Sequence, residues 1–255
     1  MRETRASRPA KNSRTDYALR QNDARTLKFE NDVSPETQKD RYLTAINEMV
    51  RDQVTGIILA GGLARRMGGV DKGLVSINDR PMIAWVIDAL RLQVADIVIN
   101  ANRNHDKYSE FGCAVIDDGN REFRGPLAGF ASGMQAAKTP WIVVVPCDSP
   151  LICGDLVRRL HAALANEGSQ IAVAHDGERL QPVFAMLHRD LFADLVEYLD
   201  GGGRKIDHWY ERHGYASADF SDAIDTFSNV NAPVDKQELE EELAKHKQPT
   251  PTEDE

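Results

Sequence analysis

The stretch from Leu59 to Leu74, LAGGLARRMGGVDKGL, combines five glycines with two arginines and one lysine, directly after the apolar run VTGIILA. Consecutive glycines let backbone N–H groups turn toward one point, which forms a concave anion site. Arg66 adds a forked donor, and Lys72 adds a point charge. These residue types predict a loop that binds a polyphosphate. It is neither a P-loop nor a dinucleotide fingerprint, because the chain lacks both GxxxxGK[ST] and GxGxxG.

Other polar residues follow further apolar runs that the pattern predicts as strands. Asn100 ends DIVIN, Asp117 and Asp118 follow AVI, and Asp148 follows WIVVVPC. Gly125 opens the run GPLAG, a helix start whose N–H groups could face the same site. Magnesium takes one or two protein carboxylates together with waters and substrate phosphates. Asp148, as a carboxylate beside a phosphate loop, is therefore the candidate metal ligand.

Each of these features also has a purely structural explanation. Asn100 could form a turn, the paired acids could be a solvated turn, and GPLAG could be a simple helix entry. Asp148 could cap the next helix, and the glycine-rich loop could be a mobile surface loop. Cys147 has no histidine close to it in sequence, so we interpret it as a small apolar neighbour of the site.

The elements that must position these residues alternate along the chain. The strands GIILA, DIVINA, CAVID and WIVVVP are interleaved with predicted helices near 81–92, 127–138 and 154–166. This alternation indicates βαβ units and a mainly parallel sheet that is covered on both faces. IAVAH and PVFAML predict an antiparallel pair around the turn DGER, followed by a helix near 190–199 and a second one after GGGRK. Ligands of such sheets bind at the carboxyl ends of the strands, where the polar residues are predicted to lie.

Composition excludes several classes of protein. The 255-residue chain has a net charge of -9, which argues against a general nucleic-acid binder. Its three cysteines are odd in number and contain no CxxC pair, so we expect a reducing, cytoplasmic location. No apolar run approaches the roughly 20 residues that span a bilayer, and no secretory signal is evident at the start. We therefore expect neither a nucleic-acid partner nor a membrane, and a monomeric chain.

Taken together, the motifs resemble those of one family. LAGGLARRMGGVDKGL, VINANRN, VIDDGNREFRGPLAG, VPCDSP, HDGERLQPVFAM and FSNVN occur in the order found in molybdenum cofactor guanylyltransferases, over roughly residues 55–235. The resemblance implies a Rossmann-like three-layer α/β/α sandwich of the nucleoside-diphospho-sugar transferase type. It also implies that GTP and molybdenum-molybdopterin react with Mg²⁺ to give the guanine dinucleotide cofactor and pyrophosphate. Molybdopterin-delivery proteins and molybdoenzyme chaperones are the further partners it suggests.

The resemblance also assigns roles to individual residues. The positions that it assigns to GTP are Leu59, Ala60, Gly61, Gly62, Lys72, Asn100, Asp118 and Asp148. Lys72, Arg66 and Asp148 take the catalytic positions, with Asp148 as the metal ligand. Asn229, Asn231 and Arg204 match positions on the molybdopterin side, and Gly69 and Gly125 match further positions implicated in cofactor binding or turnover.

The ends of the chain depart from this pattern. We expect residues 1–53 to be a largely disordered extension with a short helix near 35–50, residues 54–235 to be the nucleotidyltransferase domain, and residues 236–255 to be an acidic tail. Members of the family typically begin just before the first strand. Met49 lies at that point, so we hypothesise that it is the true initiator.

Three other functions remain open. A cytidylyltransferase for the same pterin would be expected to carry AAG in place of AGG and to lack GPLAG. Sugar-phosphate nucleotidyltransferases share the fold, but they place the lysine farther from the arginine, usually before a proline. A non-catalytic carrier of GTP or molybdopterin would not need the carboxylate of Asp148 together with Lys72.

Overall fold

The apolar runs of the sequence form the strands of a seven-stranded sheet in a computed structural model, which describes residues 35–60, 63–64, 70–119 and 125–246. Within these residues the strands are β1 (Val54–Leu59), β2 (Leu63–Ala64), β3 (Val70–Asp71), β4 (Ser76–Ile77), β5 (Arg80–Pro81), β6 (Asp96–Asn100), β7 (Ala114–Ile116), β8 (Trp141–Pro146), β9 (Ile171–His175), β10 (Leu180–His188) and β11 (Ala216–Asp219). The pairs β2–β3 and β4–β5 form separate two-stranded sheets.

The strand order of the main sheet is β11-β9-β10-β8-β1-β6-β7. β1 pairs in parallel with both β8 and β6, and the pairs β6–β7 and β9–β11 are parallel as well. β10 is antiparallel to β8 and β9, which confirms the antiparallel pair predicted around DGER. The sheet is therefore mainly parallel, and the carboxyl ends of β8, β1, β6 and β7 lie side by side at one edge.

Helices cover both faces of the sheet. In the described parts of the chain they are α1 (Pro35–Arg51), α2 (Met82–Arg91), α3 (His105–Ser109), α4 (Pro126–Ala136), α5 (Leu156–Glu167), α6 (Phe192–Asp200), α7 (Ile206–His213) and α8 (Pro233–His246). Short 3-10 helices occupy Lys72–Leu74, Arg189–Leu191 and Ile224–Phe227 within the same residues. None of the helices described has the length and the apolar character needed to cross a membrane.

The two faces carry separate apolar cores. Ile58 packs in a core with residues of α2 and α5, whereas its neighbour Ile57 packs in a second core with residues of α4, α6 and α7. Val143 and Val144 of β8 divide between the same two cores. Because successive side chains of a strand point to opposite faces, a strand covered on both sides must be apolar throughout. This arrangement confirms the three-layer α/β/α sandwich that the sequence predicts.

Both ends of the described chain pack against this core. α1 confirms the helix predicted near 35–50, and its Val50 is buried in the core of the α2 and α5 face. At the other end, the predicted boundary after Asp235 falls inside α8. Leu239 of that helix is buried in a small cluster with Ile77 and Met82. The segments 1–34 and 247–255 lie outside the described residues, so the disorder expected at the start of the chain stays a prediction.

Two elements of the fold carry too weak a signal to be predicted. β11 adds a parallel edge strand to β9, but its buried residues are only Ala216 and Ala218. α3 is five residues long and buries Tyr108 alone. Elements this short contain too few apolar residues to show a helical or strand-like spacing in the sequence. Their positions depend instead on the neighbouring elements against which they pack.

Candidate active site

A cleft opens at the edge of the sheet where the carboxyl ends of the parallel strands meet. Its volume is about 330 Å³, which falls in the range of small-molecule sites. The lining residues come from strand ends, from the Lys72 segment and from the start of α4: Leu59, Lys72, Asn100, Asn102, Asp118, Gly125, Pro126, Gly129, Pro146, Cys147, Asp148 and Val183. The structure thus brings together Leu59, Lys72, Asn100, Asp118, Gly125 and Asp148, all of which the sequence singles out.

An ion pair lies within this cleft. The ammonium of Lys72 is 2.8 Å from Oδ2 of Asp148, and the two side chains are 19% and 14% exposed. Lys72 also donates a short hydrogen bond to Oδ1 of Asn231. The helix α5 begins only at Leu156, so Asp148 does not cap it and the structural alternative for this aspartate fails. A ligand that carries both phosphates and a bound cation could contact both groups, with its phosphates at the ammonium of Lys72 and its cation at the carboxylate of Asp148.

The segment 229–231 fixes this ion pair from the C-terminal part of the chain. Val230 donates its backbone N–H to the carbonyl oxygen of Asp148 at 3.0 Å. The buried hydroxyl of Ser149 donates to Oδ1 of Asn229 at 2.5 Å. Asn229 and Asn231 therefore contact the Asp148 segment and Lys72, and they do not line the cleft wall.

A second polar group forms at the ends of β6 and β7. Asn100, which is 4% exposed, donates from Nδ2 to Oδ1 of Asp118 at 2.9 Å. Asn102 donates from Nδ2 to the other carboxylate oxygen at 2.7 Å, and its own Oδ1 accepts the backbone N–H of Asp118 at 3.0 Å. Asp117 accepts the backbone N–H of Gly119, so it stabilises a turn. Sequence reasoning missed Asn102; the alternation of asparagines in NANRN could have identified it.

The remaining predicted residues have different positions. Ala60 is fully buried and donates its N–H to the carbonyl of Asn100 at 2.8 Å, so it joins the ends of β1 and β6. Arg204 donates to the carbonyl oxygens of Leu199 and Gly203 and does not line the cleft. The predictions for Gly61, Gly62, Arg66 and Gly69 fall on residues outside the part of the chain that the structure describes.

Two further features give the cleft its chemical character. Gly125 has φ 104° and ψ 178°, a conformation that favours glycine, and Pro126 follows it as the first residue of α4. The start of α4 thereby lines the cleft, where the positive end of the helix dipole favours an anion. Cys147 is 3% exposed, and burial raises the pKa of its thiol, so the side chain is a neutral apolar neighbour and not a nucleophile.

The donor set fits a cation that arrives with a nucleotide. Within the described residues, no group of three or more His, Cys, Asp or Glu side chains is arranged to hold a metal ion. The carboxylates of Asp148 and Asp118 both line the cleft, and an incoming polyphosphate and water would supply the other ligands of a cation held by Asp148. This is the pattern of coordination that Mg²⁺ adopts in nucleotide sites.

Comparisons with known proteins point to one family. The MobA-like NTP transferase domain family matches residues 56–214. A molybdenum cofactor guanylyltransferase from Shewanella halifaxensis is 50% identical over 195 residues, which cover 76% of this chain and 98% of the relative. A protein of the same name from Shewanella sediminis is 49% identical over 193 residues, again covering 76% and 98%.

Solved structures show the same fold at lower identity. The molybdopterin-guanine dinucleotide biosynthesis protein A from Archaeoglobus fulgidus has a TM-score of 0.64 at 21% identity, covering 75% of this chain and 99% of its own. A CMP:2-keto-3-deoxy-manno-octonic acid synthetase complexed with CTP has a TM-score of 0.60 at 12% identity, covering 76% and 100%. The family model matches more than half of the chain, and the Shewanella relatives are about 50% identical to it over three quarters of its length. The chain therefore belongs to the molybdenum cofactor guanylyltransferase family, with a MobA-like NTP transferase domain.

Proposed function

We propose that this chain transfers GMP from GTP to molybdenum-molybdopterin and releases pyrophosphate. The observation that carries the proposal is the Lys72–Asp148 ion pair in a cleft of about 330 Å³, at the edge where parallel sheets bind ligands. The terminal phosphate of molybdopterin attacks the α-phosphorus of GTP. A new P–O bond forms as the bond from the α-phosphorus to the bridging oxygen breaks, and pyrophosphate leaves with that oxygen.

The side chains of the cleft act by position and charge. A phosphate monoester is already ionised near neutral pH, so the attacking oxygen needs no general base. Both reactants are anions, and negative charge grows on the leaving pyrophosphate. Lys72 neutralises that charge, and the N–H groups at the start of α4 add partial positive charge. Arg66, which the sequence places in the same loop, is proposed to add a second cation.

Asp148 is the residue that would hold Mg²⁺ on the protein side, with the phosphates of GTP and water as its other ligands. Such an ion stabilises negative charge on the transferring phosphoryl group and on the leaving group. Lys72 would then give up its contact with Oδ2 of Asp148 and turn toward the phosphates. Asn231, which accepts a hydrogen bond from the same ammonium, keeps Lys72 at the cleft during this exchange.

We further propose that the nucleoside end of GTP lies at Asn100 and Asp118. Each oxygen of the Asp118 carboxylate accepts one amide hydrogen, from Asn100 or Asn102, and a carboxylate oxygen has a second lone pair to offer. The group can therefore accept hydrogen bonds from a bound nucleoside without losing its own partners. Exchange with molybdopterin-delivery proteins and molybdoenzyme chaperones stays a prediction of the resemblance.

The decisive experiment measures pyrophosphate release from the full chain with GTP, MgCl₂ and molybdenum-loaded molybdopterin. Turnover with GTP and little turnover with CTP supports the guanylyltransferase, while preference for CTP would identify the cytidylyltransferase. Replacing the pterin by a set of sugar phosphates tests the third enzyme class. Tight binding of GTP, seen as selective thermal stabilisation, without any pyrophosphate release would instead favour a carrier.

A further inference from the structure

A buried polar cluster holds the segment that carries Lys72. Asp71 directly precedes Lys72, and its side chain is only 2% exposed. The Asp71 carboxylate accepts hydrogen bonds from the Tyr108 hydroxyl at 2.5 Å, from Nε of Arg103 at 3.1 Å and from Nδ2 of Asn104 at 3.0 Å. A buried carboxylate is tolerated only with such partners. All three donors follow β6, so the cluster ties the Lys72 segment to the chain that bears Asn100.

Tyr108 is the central residue of this cluster. Its side chain is fully buried, and its hydroxyl lies 3.5 Å from the carbonyl oxygen of Ala60, at the entrance to the glycine-rich loop. Burial raises the pKa of Tyr108 far above its ordinary value, with smaller contributions from Cys147 and Asp71. The phenol therefore keeps its proton and acts as a hydrogen-bond donor at neutral pH.

The same hydroxyl also lies against the residue that follows Lys72. A Cβ atom built on Gly73 would come within 2.7 Å of the Tyr108 oxygen, so only glycine fits at this position without a shift. Tyr108 is thus hydrogen-bonded to the residue before Lys72, and it fills the space beside the residue after it. These two features limit movement of the backbone at Lys72, although Tyr108 itself does not line the cleft.

We propose that Tyr108 and Asp71 are positioning residues that hold the backbone at Lys72, so that its ammonium reaches the phosphates of GTP during the transfer of GMP. This inference rests on the proposed function, since it assigns the pair a role in that reaction. Loss of the tyrosine hydroxyl leaves Asp71 with its partners Arg103 and Asn104 alone. The carboxylate then shifts toward those partners and moves the adjacent Lys72.

The test is Tyr108→Phe, which keeps the ring and removes one oxygen. Lys72 acts chiefly on charge that develops in the transition state, so its displacement lowers kcat and leaves the KM for GTP almost unchanged. A misplacement of about 1 Å costs up to about 10²-fold in rate, and we expect a kcat loss of about 10- to 100-fold. Asp71→Asn should act in the same direction, and the double variant should lose much less than the product of the two single losses.

Tyr210→Phe is the matched control. Tyr210 is 1% exposed, its hydroxyl donates to the carbonyl of Pro182 at 2.7 Å, and it packs in the core on the other face of the sheet. The same atom is removed from an equally buried tyrosine that does not line the cleft. Both variants should lose similar stability toward urea, whereas Tyr210→Phe should keep the wild-type kcat.

Three results would overturn the inference while wild-type turnover is intact. They are a kcat for Tyr108→Phe within about twofold of wild type, an equal kcat loss in Tyr210→Phe, and a loss of GTP affinity as large as the loss of rate. If the wild-type chain releases no pyrophosphate from GTP and molybdopterin, the proposed function fails, and the inference fails with it. The wild-type assay therefore separates the two failures.

Discussion

Lys72→Met tests the electrostatic role of the cleft most directly, because it keeps an unbranched side chain and removes the charge. In the free protein the change breaks one ion pair and one hydrogen bond to Asn231. Both ions of the pair keep some exposure, so the net loss of folding free energy should be about 1 kcal/mol. For a chain of this size, that corresponds to a fall in Tm of about 2–4 °C.

The effect on the reaction should be much larger than the effect on stability. Removing one preorganised charge from a transition state costs about 3 kcal/mol, which is a fall in kcat/KM of about 10²-fold. A destabilisation of about 1 kcal/mol leaves a domain of ordinary stability almost entirely folded, so unfolding cannot account for such a loss. The assay is pyrophosphate release with GTP, MgCl₂ and molybdopterin, with Tm measured on the same samples.

Lys236→Met provides the control for Lys72→Met. Lys236 forms an ion pair of 3.2 Å with Glu240 on the surface of α8, so the same substitution removes a paired charge outside the cleft. This variant should keep wild-type kcat/KM. The reasoning is refuted if Lys72→Met stays within about fivefold of the wild-type rate, or if Lys236→Met loses as much.

Three further outcomes are expected. Asp148→Asn keeps the shape of the side chain and should lower kcat by about 10²-fold with little change in Tm; a rate near wild type would remove Asp148 from the mechanism. Leu239→Ala should cost about 2 kcal/mol in urea unfolding, because it opens a cavity under α8; an unchanged midpoint would mean that α8 is not part of the cooperative fold. Burial raises the pKa of Asp194, but hydrogen bonds from Trp209 and His213 outweigh it and lower the pKa below 3.8. This carboxylate stabilises the fold above about pH 4, and its contribution is lost as the pH falls through the lowered pKa. Asp194→Asn should therefore destabilise the protein at pH 7, and this loss should become smaller as the pH is lowered below about 4; a loss that stays the same over this range in urea titrations would contradict this.

Local pattern sufficed for the central strands and for most of the helices that cover them. The runs VTGIIL and WIVVVP are apolar at nearly every position, and a strand buried on both faces needs such a pattern. The glycines and basic residues after β1 predict a phosphate loop, because they give one short segment conformational freedom and positive charge, and this function of the loop stays a prediction. The family resemblance extended this to Asn100, Asp118 and Asp148, which the structure places around one cleft.

What the sequence alone determined is thus the local burial of each segment and the chemistry of each strand end. Only the tertiary structure decided which ends meet: Lys72 contacts Asp148 across 76 residues and Asn231 across 159. It also decided that Tyr108 is buried behind Lys72 and that α8 packs on the domain. The physical reason is that the spacing of apolar residues shows only which face of one segment is buried. These contacts depend instead on strand order and on packing between segments far apart in the chain.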